Sequence, residues 1–252
     1  MKKLALSLSI AALASSSAFA GNFNNGGFEN GTLSGWTGGG GTWNNAGSQP
    51  APVNPVIYNG GPANNTIVHT GIDAITGANT VYNGNSAVRI NDSNAGSGVS
   101  TLRQSVTNYT DSGIFFAWNA VLQNSHGPND SDYFSLTLHD DTTNADIVSR
   151  AYSSAGSIGA GTSGVKWTNH NNWYTSGWVV ESIDLFALGA IGHDFTLTVL
   201  SADCAHGAHA GYAYLDGFGN ATPPAGVPEP ASLLLLGFGA AGLAFARRRK
   251  AI

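Results

Sequence analysis

A succession of short apolar or alternating runs, separated by clusters of Gly, Asn, Ser and Asp, most constrains how this 252-residue chain can fold. Between residues 21 and 220, no long segment has the apolar spacing of an amphipathic helix. The run 195–200 instead alternates apolar residues with Thr, as a half-buried strand requires. The predicted strands are 86–90, 101–106, 114–122, 133–138, 147–151, 178–184, 195–200 and 212–215. Many short strands between turn signals predict an all-β fold, a two-sheet antiparallel β-sandwich of the jelly-roll type.

Some segments between residues 21 and 220, which we call the body, have weaker patterns of apolar residues. Residues 38–65 are rich in Gly, Asn and Pro, and we predict a long loop there with a short hairpin near 55–58. Segment 181–188 could form one helical turn. The acidic pairs Asp130/Asp132 and Asp140/Asp141 fall in turn clusters, and we interpret both as parts of solvated loops.

The first 20 residues have the parts of a secretory signal peptide. Lys2 and Lys3 precede an apolar stretch at 4–13, and a run of small residues ends at Ala20. We therefore predict that residues 1–20 are a signal peptide, cleaved between Ala20 and Gly21. The exported chain then has one cysteine, Cys204, so its fold must be stable without an internal disulfide.

The carboxy-terminal segment 227–252 combines a short motif, an apolar run and a basic end. Val227, Pro228, Glu229 and Pro230 are followed by the run 231–246 and then by Arg247, Arg248, Arg249 and Lys250. As a helix the 16-residue run would be about 24 Å long, which local bilayer thinning and snorkelling arginines can accommodate. We predict a single transmembrane helix with its basic end in the cytoplasm. Residues 221–226 would link it to the body at 21–220.

This tail resembles the PEP-CTERM sorting signal of Gram-negative bacteria, where Pro-Glu-Pro, a short hydrophobic helix and an arginine cluster occur in the same order. The resemblance implies that an exosortase, a membrane cysteine protease, recognises the motif and removes the tail. It also implies export across the inner membrane and transient anchoring in it. The expected destination is the cell surface or the extracellular, biofilm matrix of bacteria that secrete exopolysaccharide. The tail leaves the function of the body open.

The charge distribution excludes nucleic acid as a partner. The formal net charge of −5 for the whole chain understates the negative charge of the body, because six of the ten basic residues lie in the two end segments. The body between them has four basic and fourteen acidic residues, a net charge of −10. Phosphate binding needs basic patches, which such a surface does not offer.

The opening and closing segments of the body resemble those of carbohydrate-binding-module-like jelly rolls. The opening reads Asn-Gly-Gly-Phe-Glu at 25–29 and reaches Trp36, and the closing reads Tyr-Ala-Tyr-Leu-Asp at 212–216. In that group the first and last strands often share a structural calcium ion, which takes hard oxygen ligands. The resemblance implies that Glu29 and Asp216 are calcium ligands. The alternatives are that Glu29 is a solvated turn residue and that Asp216 caps the end of a strand.

Aromatic residues cluster near the middle of the second half. Trp167, Trp173, Tyr174 and Trp178 lie within twelve residues and alternate with Asn and His. Aromatic faces beside hydrogen-bonding side chains form platforms for sugars, so Trp167, Trp173 and Tyr174 are the predicted saccharide ligands. Packing in the sandwich core is the alternative, and we expect it for Trp178, which begins an apolar run.

The loop at 203–209 carries one thiol and two imidazoles: Cys204, His206 and His209. Such groups could bind zinc or copper. However, the spacing C-x-H-x-x-H lacks a convincing fourth ligand, and a related string occurs in secreted adhesin-like β domains. We therefore interpret the segment as a structural loop, and a catalytic Cys–His pair has little support.

Three functions remain open at this point. The first, which we prefer, is a non-catalytic envelope or matrix protein that associates weakly with neutral extracellular polysaccharide. The second is a purely structural surface protein with no saccharide site. The third is a hydrolase of matrix polymers, which needs two carboxylates about 5–10 Å apart in a cleft, and no motif indicates such a pair.

Overall fold

The computed structural model describes residues 22–43, 55–58, 60–127, 129–155 and 165–219. The predicted signal peptide with its cleavage site at Ala20 and Gly21, the linker 221–226 and the segment 227–252 lie outside these ranges. Within them, no helix is both long and apolar enough to span a membrane. The membrane helix predicted at 231–246 and the domain limits therefore stay predictions.

The described residues form two antiparallel sheets. The smaller one has five strands, in the order β1 (Thr37–Thr42), β4 (Gly98–Val106), β11 (Phe195–Ala202), β6 (Tyr133–Asp140) and β7 (Ala145–Ser153). The larger one has seven strands. Six follow the order β2 (Asn65–His69), β3 (Ser86–Ile90), β12 (Gly211–Asp216), β5 (Gly113–Gln123), β9 (Trp173–Thr175) and β8 (Thr168–His170), and β10 (Val179–Asp184) also pairs with β5. The predicted all-β, two-sheet antiparallel sandwich is confirmed.

The main core lies between the two sheets and follows from the alternation of the strands. On β11, Phe195, Leu197 and Val199 face inward, and on β5 the inward positions include Phe116 and Trp118. Trp118 stacks on Phe134 of β6, with ring centroids 4.9 Å apart. All of these side chains are buried, and their removal from water is the main force that holds the sheets together.

The sequence-based strand predictions are right where side chains alternate and incomplete elsewhere. Each of the eight predicted runs contains a strand, although Trp178 itself precedes β10. Four strands were missed: β1, β2, β8 and β9. Pro55–Tyr58 forms a 3₁₀ turn where a hairpin was predicted, and the helical turn expected within 181–188 is the short helix α1 (Leu185–Leu188).

Strand β1 has the sequence Thr-Gly-Gly-Gly-Gly-Thr, which carries no apolar pattern. Its backbone nevertheless pairs with β4 along its full length. A Cβ atom added to Gly40 would lie 2.2 Å from the carbonyl oxygen of Pro62, and one added to Gly61 would lie 1.9 Å from that of Gly40. The glycines therefore allow the segment before β2 to pack directly on this strand, so close backbone approach explains the composition.

Candidate functional site

The outer face of the larger sheet carries a second, aromatic cluster. On β12, Ala213 and Leu215 point into the main core, so Tyr212 and Tyr214 between and beside them point outward. Val121 of β5 pairs with Tyr212 and lies on the same side. The half-buried Trp173 and Trp178 pack against this cluster. We call the surface formed by Val121, Trp173, Trp178, Tyr212 and Tyr214 the aromatic face.

The two tryptophans form the accessible part of the aromatic face. The ring of Trp173 lies 6.0 Å from that of Tyr212, and the ring of Trp178 lies 6.2 Å from that of Tyr214. Trp178 also packs on Tyr82, and its Nε1 donates a hydrogen bond of 2.9 Å to the carbonyl oxygen of Asn79. Because both indoles are held by neighbours while part of each ring stays accessible, they can serve as rigid contact surfaces.

A loop covers the two tyrosines. The hydroxyls of Tyr212 and Tyr214 donate to one oxygen of the buried Asp73, at 2.8 and 2.7 Å. The other Asp73 oxygen accepts from the backbone N–H groups of Ile75 and Thr76, at 3.0 and 2.7 Å. Burial alone would raise the pKa of Asp73, but the hydrogen bonds to its carboxylate together outweigh that effect and lower the pKa. Burial raises the pKa of both tyrosines, so they remain hydroxyl donors at neutral pH.

Two polar side chains at the aromatic face have buried nitrogens with no hydrogen-bond partner among the described residues: Asn119 Nδ2 and Arg89 Nε. Both residues pair with Tyr214, from β5 and β3 respectively. The other end of the Asn119 amide accepts a hydrogen bond of 2.8 Å from Thr175. A buried donor left unpaired costs about 1–3 kcal/mol, so this layer of the structure is suited to holding water or another polar group.

The three predicted saccharide ligands do not share one surface. Trp167 packs against the main core and meets Tyr152 edge-on at 5.2 Å, whereas Trp173 lies on the aromatic face. Tyr174 pairs with Leu122, an inward-facing residue, so it points away from Trp173. Trp167 and Trp173 therefore cannot form one platform together.

A hairpin explains this separation. Asn171 and Asn172 have φ of 47° and 75°, as the two-residue turn between β8 and β9 requires. The six-residue spacing between the indoles therefore crosses two strands. Had both been on one strand, that spacing would have placed them on the same face. Trp178, expected in the core, lies on the aromatic face instead.

The predicted calcium ligands lie close to each other. A Cβ atom added to Gly27 would lie 3.8 Å from Cγ of Glu29 and 3.9 Å from Oδ1 of Asp216, so the two side chains approach the same point. Glu29 accepts hydrogen bonds from the backbone N–H groups of Asn85 and Ser86, at 2.9 and 3.0 Å. Oδ2 of Asp216 accepts from backbone N–H groups in the same loop, whereas Oδ1 is buried without a partner among the described residues. Burial raises the pKa of Asp216 to about 7, and nearby Glu29 adds to the effect.

Several groups of this region were not predicted from the sequence. Tyr212 and Tyr214 were noted only as part of a motif, although two residues two positions apart on a strand share a face. Nothing in the sequence connects Asp73 to them, because it lies more than 130 residues earlier. Asp132, interpreted as part of a solvated loop, is fully buried.

Comparison with known proteins identifies the tail. Residues 226–250 match the PEP-CTERM protein-sorting motif, which confirms the prediction for that segment. The motif marks the chain as an exported protein that is directed to an exosortase. The motif residues Val227, Pro228, Glu229 and Pro230 and the basic end from Arg247 to Lys250 all fall within the match. No curated protein matches the sequence of the chain.

Several solved structures are similar to the described body. They include the carbohydrate-binding module TmCBM61 in complex with β-1,4-galactotriose, with 15% identity and a TM-score of 0.38 over 78% of this chain and 95% of that one. Another is the module CBM27-1 of Caldicellulosiruptor saccharolyticus in complex with mannohexaose, with 10% identity and a TM-score of 0.37 over 77% of this chain and 93% of that one. A third is the K1 cleaved adhesin domain of Lys-gingipain from Porphyromonas gingivalis W83, with 13% identity and a TM-score of 0.34 over 75% of this chain and 92% of that one. The assignment of a β-sandwich to this chain follows from its own strand pairing.

Proposed function

We propose that this exosortase-directed chain is a non-catalytic protein of the cell surface or biofilm matrix of a Gram-negative bacterium, and that its body associates with extracellular polysaccharide. The observation that carries the saccharide part is the aromatic face. It presents two half-buried indoles, Trp173 and Trp178, on the outside of a rigid sheet. Sugar rings stack through their C–H faces on such indoles, and nearby polar groups orient them.

The charge of the body narrows the class of polysaccharide. With four basic and fourteen acidic residues between the two end segments, the body repels polyanions. Ring stacking contributes about 1 kcal/mol for each platform, so a single body should bind weakly. Many copies on one matrix would reinforce the binding through avidity. We therefore propose a neutral polysaccharide as the ligand.

The experiment is affinity electrophoresis of the full chain through gels that contain neutral or acidic polysaccharides. Trp173→Ala should weaken binding to the retained neutral polymer about fivefold, the equivalent of about 1 kcal/mol. Trp167→Ala is the matched control, because it removes the same ring from the opposite side of the sheet. It should lower the melting temperature and leave the binding of the folded fraction unchanged. Equal retention of the wild type and Trp173→Ala in every gel would refute the saccharide site.

The second candidate is a structural surface protein without a saccharide site. It is favoured by the cover that Asp73 and its loop place over Tyr212 and Tyr214, which are only 1% and 3% exposed. The same gels separate the two proposals, because a purely structural protein would migrate equally in all of them.

Processing by an exosortase is tested independently of the body. In cells that make the cognate exosortase, mass spectrometry of the released protein should find a carboxyl end near Pro228–Pro230. Recovery of released protein that still contains Arg249 would contradict processing.

We also propose that a structural calcium ion binds between Glu29 and Asp216. Support comes from the buried, unpartnered Oδ1 of Asp216 and from its closeness to a second carboxylate, since Ca²⁺ prefers carboxylate and carbonyl oxygens. When bound, the ion would neutralise these two charges and join the opening segment to the end of β12. The role is structural, with no part in a reaction.

A further inference from the structure

A cluster of one thiol and imidazoles forms at one end of the larger sheet. Cys204 and His209 lie in the loop between β11 and β12, and His126 lies in the loop that follows β5. Because β5 and β12 are antiparallel neighbours, the chain leaves one and enters the other at the same end. The two loops are joined there by a backbone hydrogen bond of 2.9 Å from the N–H group of Ala205 to the carbonyl oxygen of Asp130.

We propose that Cys204, His126 and His209 bind a zinc ion. The ligand atoms of the three residues all lie within 4.8 Å of one another. Sγ of Cys204 is 3.6 Å from Nδ1 of His209. Two ligands at about 2.3 Å (sulfur) and about 2.1 Å (nitrogen) from a tetrahedral zinc are themselves about 3.6 Å apart, so this pair already has the required separation. His126 is exposed, and its ring lies 4.9 Å from that of His209.

The surroundings of the thiol favour a metal ligand. Cys204 is fully buried, yet its sulfur accepts the backbone N–H groups of Ala208 and His209, both at 3.3 Å. These two hydrogen bonds hold the sulfur atom in a fixed position within the loop. A nucleophilic thiol would have to reach a substrate, which a side chain without exposed surface does not. The loop therefore positions the sulfur toward the imidazoles.

A further histidine and a carboxylate border the cluster. The ring of His206 lies 4.4 Å from that of His126, and its Nε2 is 2.9 Å from an oxygen of Asp130. Three protein ligands leave the fourth position of a tetrahedral zinc to water. One thiolate and two imidazoles suit zinc far better than calcium or magnesium, which prefer oxygen. The site thus differs from the proposed calcium site in position and in chemistry.

The test is a zinc titration of the full chain, made without a polyhistidine tag and stripped with a chelator, against a chromophoric competitor. We expect one tight equivalent. His126→Ala should lower the zinc affinity more than about tenfold. Since that side chain is exposed, the melting temperature without metal should not change. His139→Ala is the matched control, because it removes a histidine whose partner is Asp146, away from the cluster, and should leave the affinity unchanged.

Cobalt provides a readout of the thiol itself. Co²⁺ in place of zinc should give a thiolate-to-metal charge-transfer absorption, which Cys204→Ser should abolish. Equal zinc affinity in the wild type and His126→Ala would overturn the proposal, as would the absence of this absorption from a cobalt-loaded wild type. Neither measurement depends on polysaccharide binding.

Discussion

Replacing Asp132 by Asn should stabilise the body at neutral pH, and by much less under acidic conditions. Asp132 is fully buried, and neither of its carboxyl oxygens has a hydrogen-bond partner of normal geometry among the described residues. Weak interactions with its own backbone N–H, with the Ser125 side chain and with the backbone of Gln123 act to lower its pKa, but burial outweighs them. Burial raises the pKa of Asp132 to about 8, and the nearby charge of Asp203 adds to the effect.

The size of the effect follows from linkage. In the unfolded chain the carboxyl has an ordinary pKa of about 3.9, so between about pH 4 and pH 8 the unfolded state releases a proton that the folded state keeps. The group's contribution to stability is therefore fully present below about pH 4 and is lost as the pH rises through about 8. Each pH unit in this window costs about 1.4 kcal/mol. From pH 5 to pH 7 the loss is about 2.7 kcal/mol, and an Asn at this position does not incur it.

The assay is urea unfolding of the wild type and Asp132→Asn at a series of pH values. The difference in unfolding free energy between the two should grow by about 2.7 kcal/mol from pH 5 to pH 7 and level off above pH 8. Asp184→Asn makes the same substitution at an exposed position and is measured as the control. If the Asp132→Asn difference were instead constant from pH 5 to pH 7, Asp132 would be ionised in the folded protein and the reasoning would fail.

Three further predictions concern other parts of the body. Tyr214→Phe should lower the unfolding free energy by about 1.5–3 kcal/mol in urea titrations, because it removes a hydrogen bond to the charged Asp73. Tyr133→Phe, whose hydroxyl is buried without a partner among the described residues, should cost little, and equal losses would contradict the reasoning. Gly26→Ala should cost about 3 kcal/mol or prevent folding, because its Cβ would lie 1.7 Å from a backbone carbonyl oxygen; a melting temperature like the wild type's would refute this. Excess Ca²⁺ at about 100 times its dissociation constant should stabilise the wild type by about 2.7 kcal/mol in thermal melts, and Asp216→Asn should remove the increment; no response of the wild type to calcium or to EDTA would rule out the site.

The strands that could be predicted are those whose side chains alternate. On β6 every second residue from Phe134 to Asp140 is buried, and on β11 apolar residues alternate with Thr from Phe195 to Val199, so the period of two is visible in the sequence. The glycine strand β1 has no such period, because its place depends on backbone pairing with β4 and on the close approach of the segment before β2. The short strands β8 and β9 have three residues each, too few to show a period at all.

The candidate sites, like the strands, could be predicted from the sequence only in part. The nearness of Glu29 and Asp216 was implied by a resemblance at both ends of the body, and the structure places them close together. The aromatic residues were correctly picked out as a group, but their division between two faces depends on the hairpin turn at 171–172. His126 joins Cys204 only because β5 and β12 are neighbours in the sheet.

The sequence by itself determined where this protein is sent and what class of fold it adopts. A sorting motif acts as a continuous segment, and strand periodicity is a local property, so both can be read without a structure. Only the tertiary structure decided that Asp132 is buried, that Trp173 and Trp167 lie on opposite sides of a sheet, and that a histidine reaches a distant cysteine. Burial, facing and ligand geometry arise from contacts between residues far apart in the chain, and strand order, which no local pattern encodes, sets those contacts.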